Sequence, residues 1–127
     1  MQPTETEAGG RPLVIEYYYK LAPGAGAEWL ALYKKNHNPV LQQFIKEGFL
    51  KSEKLYERRF HAETPAWDYK IVMVWRDWAA LEEAHHRDLP IKRELYPDQE
   101  DHARQEKRRW ELTTGHWDDV LKEVPLE

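Results

Sequence analysis

The order of apolar and polar positions predicts a strand and then a long helix in the first third of the chain. Residues 13–20 (LVIEYYYK) are dense in β-branched and aromatic side chains and are flanked by prolines, which is typical of a strand. Across residues 27–47 the apolar side chains recur at helical spacing. Pro39 lies in the middle of this segment and lacks the N–H that a helix interior needs. Either the helix kinks there, or Asn38 caps a second segment that has Pro39 at its first position.

The next two apolar segments predict one edge and the centre of a sheet. Residues 50–61 (LKSEKLYERRFH) carry the Lys and Arg side chains that protect an edge strand. Residues 67–76 (WDYKIVMVWR) are the most apolar, so we expect a central strand, and we expect this strand and the first one to be buried on both faces. Some charged residues could form a network inside a barrel, although such residues more often lie at a solvated edge: Glu16, Glu53, Glu57, Arg58 and Arg59.

Two helices and a fourth strand complete the pattern. Asp77 can cap a helix, which Pro90 should end or bend. The predicted inner stripe of this helix consists of Trp78, Leu81, Ala84, His85 and Leu89. A polar helix follows over residues 99–112, with an apolar stripe that consists of Ala103 and Trp110. Residues 117–126 (WDDVLKEVPL) are predicted to form the last strand.

This order, β-α-β-β-α-(α)-β, predicts the ferredoxin-like split βαβ unit of the α+β class. Its four-stranded antiparallel sheet carries the helices on one face, over a single domain of residues 13–127. If the other face is apolar it must also be covered, and a second copy of the chain is the simplest cover, so we predict a homodimer. Residues 1–12 are polar and predict a flexible tail without the features of a signal peptide, which favours a cytoplasmic location.

Composition narrows the classes of function. The 127 residues are 41% hydrophobic and 33% charged, which is typical of a globular domain, and no apolar run approaches the length of a membrane span. The net charge of −4 comes from interspersed charges, so we expect no nucleic-acid partner. The chain has no cysteine, which excludes disulfides and thiolate metal sites. No phosphate-binding, dinucleotide-binding or metalloprotease motif is present, and we expect no cofactor.

His37 is the sharpest polar anomaly, because it lies at the centre of the apolar stripe formed by Leu30, Tyr33, Leu41 and Phe44. A neutral imidazole there could transfer a proton, orient a ligand or bind a metal. The alternative is a structural histidine that bonds to a backbone carbonyl or an aromatic hydroxyl. We predict that His37 borders a cavity between the sheet and the helices, as a candidate catalytic residue.

The aromatic residues give the remaining candidates. Tyr17 and Tyr19 share one face of the first strand, and with Tyr33 and Trp75 they could line a ligand pocket or simply build the core. His85 joins this candidate set because it lies on the predicted inner stripe of its helix. Its neighbour His86 diverges from it by about 100° on a helix, so we expect no metal site there. His61, His102 and His116 lie in or beside charged segments and are expected at the surface.

Three segments also resemble a known superfamily in their order and spacing: residues 14–19 (VIEYYY), 33–41 (YKKNHNPVL) and 72–78 (VMVWRDW). They are similar to the dimeric α/β-barrel proteins, which include antibiotic-biosynthesis-type monooxygenases, muconolactone isomerase and NIPSNAP-type proteins. The resemblance covers most of the chain. It implies that two sheets pack face to face in a homodimer and that each subunit has a pocket between its sheet and helices.

Three functional hypotheses follow. The first is a cofactor-independent enzyme, oxygenase- or isomerase-like, that acts on an aromatic or apolar small molecule with His37 as acid or base. The second is a non-catalytic ligand-binding or stress-related dimer that uses the same pocket. The third is a haem-binding protein with His37 or His85 as the axial ligand, which no haem-attachment motif supports.

Overall fold

The computed structural model describes residues 11–58 and 66–127, which form a four-stranded sheet with helices on one face. Residues 1–10, Arg59 and His61 therefore lie outside the described residues. The elements are β1 (Leu13–Leu21), α1 (Gly26–Asn36), α2 (Asn38–Lys46), β2 (Leu50–Glu57), β3 (Tyr69–Trp75), α3 (Trp78–Leu95), α4 (Gln99–Glu111) and β4 (Thr113–Lys122). The predicted fold class is confirmed.

The strands lie in the order β2-β3-β1-β4, and every neighbouring pair is antiparallel. Ile15 of β1 lies opposite Met73 of β3 on one side and Val120 of β4 on the other. This is the ferredoxin-like arrangement, with β1 and β3 at the centre and β2 at an edge as predicted. β4 begins at Thr113, four residues before the predicted start.

The helix that follows β1 is broken at His37, so the second of the two predicted alternatives is correct. His37 has φ −124° and ψ −47°, outside the helical range, and α2 begins directly after it with a proline in its first turn. The cap position belongs to His37, however, and not to Asn38. Gly48 follows the end of α2 with a positive φ of 85°, and the N–H of Phe49 donates a hydrogen bond to the carbonyl of Phe44 at 3.0 Å.

The core lies between the helices and one face of the sheet. Alternate residues of β3 are buried, from Tyr69 to Trp75, and Trp29 of α1 is fully buried against them. The opposite face of β1 and β3 is half-buried, with Val14, Val72 and Val74 covered by no helix. The prediction that both faces of these strands are buried is therefore wrong for the single chain.

α3 presents only part of its predicted stripe to the core: Ala84 is buried and Leu81 packs against the core, as predicted. Asp77 caps it as expected, since its carboxylate accepts a hydrogen bond from the Ala80 N–H at 2.8 Å. The buried residues are Ala80, Ala84 and Ile91, whereas Trp78, His85 and Leu89 are exposed. Small alanines permit a close approach to the neighbouring elements, so the larger side chains lie outside. Pro90 does not end the helix, because it removes only one of its many hydrogen bonds.

α4 also differs from its predicted stripe. Ala103 and Trp110 are exposed, and the face that meets the rest of the protein is polar, with Arg109 buried at 2% exposure. His102 is half-buried there, and its Nε2 lies 2.8 Å from the Asn36 carbonyl oxygen. His116 of β4 is exposed, and its ring stacks on that of Tyr19 with centroids 4.5 Å apart. The surface prediction is therefore wrong for His102 and confirmed for His116.

Candidate functional site

A cavity of about 230 Å³ lies between β2 and the first two helices. α1 contributes one side, the start of α2 a second and β2 the floor. The lining residues are Leu30, Tyr33, Lys34, Asn38, Gln42, Glu53 and Leu55. A cavity of about 150 Å³ in another protein binds benzene, so this one has room for a substituted aromatic ring.

An irregularity in β2 brings a carboxylate into this cavity. Leu50 lies opposite Trp75, but Glu53 lies opposite Met73, and the register shifts between Leu50 and Ser52. Without the shift, regular alternation would place Glu53 on the face opposite that of Leu50. With it, Glu53 and Leu55 lie on the face that the helices cover.

Tyr33 and Glu53 form the polar centre of the cavity. The Tyr33 hydroxyl donates a hydrogen bond to Oε2 of Glu53, and Nε2 of Gln42 donates to Oε1 at 3.4 Å. Burial raises the pKa of Glu53, and the two hydrogen bonds partly oppose that rise. Burial and the neighbouring carboxylate raise the pKa of Tyr33 well above its ordinary value. Tyr33 is therefore a hydrogen-bond donor, while Glu53 can accept a proton or bind a donor.

His37 lies next to Tyr33, with ring centroids 5.2 Å apart, but it does not line the cavity. Its side chain is 27% exposed, while its Nδ1 atom is buried 3.8 Å from Oε2 of Glu106 and has no hydrogen-bond partner among the described residues. Burial, and then the positive charge of Arg109, lower the pKa of His37 to about 4. The imidazole is therefore neutral near pH 7.

Arg109 supports Tyr33 from α4. Its Nε and Nη2 atoms donate to the two oxygens of Glu106 at 3.1 and 3.0 Å, and its guanidinium carbon lies 5.6 Å from the ring centroids of both Trp29 and Tyr33. A buried cation is tolerated only where a carboxylate and aromatic faces compensate it. This cluster explains why the inner face of α4 is polar.

The other predicted site residues lie elsewhere. Tyr19 and Trp75 are packed in the core, and Tyr17 is half-buried on the same face of β1, where burial raises its pKa to about 12. His85 is exposed on α3. Of the candidate residues, Tyr33 alone lines the cavity in the part of the chain that the structure describes, and His37 lies beside it.

Sequence reasoning missed Glu53, Gln42, Asn38, Lys34 and Leu55 as cavity residues. Glu53 was considered only as part of a charged network or a solvated edge. The bulge after Leu50 is what places Glu53 in the cavity, and the residue types in β2 do not reveal that bulge.

Metal ligation and membrane insertion have no structural support in residues 11–58 and 66–127. No three histidine, aspartate or glutamate side chains there gather closely enough to hold an ion. None of the helices in the same residues has the length and apolar character needed to cross a bilayer.

Comparison with known proteins identifies the fold through solved structures. No family model matches the chain, and no curated protein matches it. An uncharacterized NIPSNAP domain protein from Burkholderia xenovorans is similar with a TM-score of 0.56 and 14% identity, over 90% of this chain and 96% of its own. SnoaB, a cofactor-independent oxygenase from Streptomyces nogalater, is similar with a TM-score of 0.54 and 14% identity, over 93% of this chain and 100% of its own.

A third similar structure is a dimeric protein of unknown function and ferredoxin-like fold from Bacteroides fragilis, with a TM-score of 0.53 and 10% identity, over 88% of this chain and 96% of its own. The folds of these three proteins agree with the resemblance of the sequence to NIPSNAP-type and monooxygenase-type proteins. At this level of identity they show a shared fold.

Proposed function

We propose that the protein is a small-molecule-binding homodimer whose ligand, with an aromatic or apolar body, occupies the cavity between β2 and the first two helices. The observation that carries this proposal is the Tyr33–Glu53 pair inside a ligand-sized cavity. Leu30 and Leu55 supply apolar contact beside it. Directed polar groups beside an apolar contact surface are typical of ligand sites.

We further propose a cofactor-independent enzyme, oxygenase- or isomerase-like, in which a proton is exchanged with the ligand. A carboxyl with a raised pKa, held by a tyrosine hydroxyl, suits such exchange. SnoaB, which shares the fold, is a cofactor-independent oxygenase, and this supports the oxygenase-like alternative. We also propose His37, which lies beside Tyr33 but outside the cavity lining, as a second candidate acid or base.

Binding can be tested without a known substrate by titration with small aromatic compounds, followed through the methyl resonances of Leu30 and Leu55. Leu55→Trp should fill the cavity and abolish binding. Tyr56→Trp is the matched control, since Tyr56 is the next residue of β2 and lies on the opposite face. Equal binding by both variants would place the ligand elsewhere.

Catalysis is tested separately, on any compound that binds and is turned over. His37→Phe should abolish turnover and leave binding unchanged if His37 exchanges the proton. Binding without turnover of any compound by the native protein would instead indicate the second hypothesis, a non-catalytic binding protein.

The homodimer is supported by the uncovered face of the sheet. Val14 lies opposite Val74 there, and Tyr18 stacks on Trp117 with ring centroids 5.4 Å apart. This face is half-buried in the single chain, and a second sheet packed on it would bury its valines and aromatic rings. The similar structure from Bacteroides fragilis is itself dimeric.

A further inference from the structure

The carboxylate of Glu53 is unusual because no cation compensates it. The residues that act on its pKa are Tyr33 and Gln42, both neutral, and it forms no ion pair within the described residues. Other half-buried carboxylates have a cationic partner: Glu106 has Arg109, Glu47 has Arg87 and Glu16 has Lys70. A partly buried anion without a cation is costly, so this position favours a positively charged ligand.

The hydrogen-bond geometry leaves room for such a ligand. Each carboxylate oxygen has two acceptor sites, and Tyr33 and Gln42 each use one. One acceptor site on each oxygen remains, and the Tyr33 hydroxyl oxygen, which donates to Glu53, can accept as well. Three acceptors close together match the three N–H donors of a primary ammonium group.

Lys34 is the one basic residue among those lining the cavity, and it opposes a cationic ligand. Its side chain is exposed, however, and it forms no ion pair with Glu53 in the described residues. Water therefore screens its charge far more than it screens Glu53. A neutral hydroxyl ligand would satisfy the acceptors but leave the charge of Glu53 uncompensated.

We propose that the cavity selects a primary amine with a small apolar or aromatic body, its ammonium group held by Glu53 and Tyr33 and its body against Leu30 and Leu55. This inference rests on the proposed function of the cavity and names the chemical class of its ligand. Binding in this form makes and breaks no covalent bond.

The test compares benzylamine, benzyl alcohol and toluene, which share a ring and differ in the polar group. Dissociation constants are measured near pH 7 from the methyl resonances of Leu30 and Leu55. We expect benzylamine to bind the native protein about tenfold more tightly than benzyl alcohol, because only its ammonium group compensates the negative charge of Glu53. Glu53→Gln should remove that preference.

Glu57→Gln is the matched control, because it removes the same charge from an exposed position on β2 and should retain the preference. If Glu53→Gln fails to fold, the native protein alone provides the test. Its preference for benzylamine over benzyl alcohol should vanish as the pH falls below the raised pKa of Glu53.

The outcomes separate this inference from the proposed function. Benzyl alcohol or toluene that binds as tightly as benzylamine would overturn the amine class and leave the cavity as a ligand site. A preference that survives Glu53→Gln would also overturn it. If none of the three compounds binds, both the inference and the proposed ligand site fail.

Discussion

Trp75 is the single residue whose burial the sequence predicts most directly. It is 3% exposed and lies 6.0 Å from Phe44 between ring centroids. Trp75→Ala should lower the free energy of unfolding by about 3–5 kcal/mol, through lost burial and the remaining cavity, as measured by urea denaturation. Trp78→Ala is the control, since Trp78 is 47% exposed and its loss should cost about 0.5 kcal/mol or less. Equal effects of the two substitutions would contradict the burial of Trp75.

Gly48 shows a conformational requirement rather than a packing one. Its φ of 85° lies in the left-handed region, and a Cβ added there would meet no atom within 4 Å. Gly48→Ala should therefore cost about 1–2 kcal/mol through backbone strain alone. Gly26→Ala makes the same change at the start of α1, where a Cβ would contact Tyr69 at 3.5 Å, an ordinary van der Waals distance. Chemical denaturation should show a loss at position 48 and none at position 26.

At the scale of elements, α4 depends on a buried charge where an apolar stripe was expected. Arg109→Met would leave Glu106, itself mostly buried, without its ion pair and should lower the free energy of unfolding by about 3–5 kcal/mol. Arg104→Met is the control on the same helix, because Arg104 is 69% exposed and its pair with Asp101 is worth about 1 kcal/mol or less. A small loss at position 109 would show that the aromatic rings, not the charge, hold α4.

The junction between α1 and α2 should make stability depend on pH. His37 has a pKa of about 4 when folded and an ordinary value of 6.5, so below pH 6.5 the unfolded chain binds a proton that the folded chain does not. Stability is therefore lost as the pH falls from 6.5 towards 4, by up to about 3 kcal/mol. Arg109 and Lys92 oppose the charge on His37, whereas Glu106 and Asp88 favour it.

Urea denaturation of the native protein and of His37→Gln at pH 7 and pH 4 measures this contribution. The native protein should lose more stability between the two pH values than the variant does. Glu53 acts in the opposite direction, because its raised pKa favours the folded state at low pH, but it is common to both proteins and cancels in the comparison. Parallel losses would show that His37 is not desolvated.

The elements also show what a sequence can predict. Their order and most of their bounds follow from local patterns, as with residues 13–20 and the proline after His37. The inward face of α3 follows only in part, since Ala84 was predicted to be buried and Ala80 was not, and the inward face of α4 does not follow, because the pairing of Arg109 depends on partners distant in the chain. The position of Glu53 in the cavity could not be predicted either, because a bulge determines which face of β2 its side chain occupies.

For the whole molecule, the proposed homodimer depends on the sheet face opposite the helices. Val74 lies there, opposite Val14 on β1 and Ser52 on β2, and helices cover none of these three residues. Sedimentation equilibrium should give twice the 15.2 kDa of one chain for the native protein. Val74→Glu would place a charge in the middle of the proposed interface and should yield monomers, because an unpaired buried charge costs more than such an interface can offset.

Leu89→Glu distinguishes this interface from an apolar surface on α3. Leu89 is 49% exposed on α3, where Trp78 is exposed as well, so that helix is one competing surface for a second copy. If the sheets pack face to face, Leu89→Glu should remain dimeric while Val74→Glu dissociates. The reverse result would move the interface to α3, and a native mass of one chain would contradict the homodimer itself. The cavity beside β2 opens away from the sheet face, so ligand binding should persist in the Val74→Glu monomer, with its dissociation constant measured by the same methyl titration.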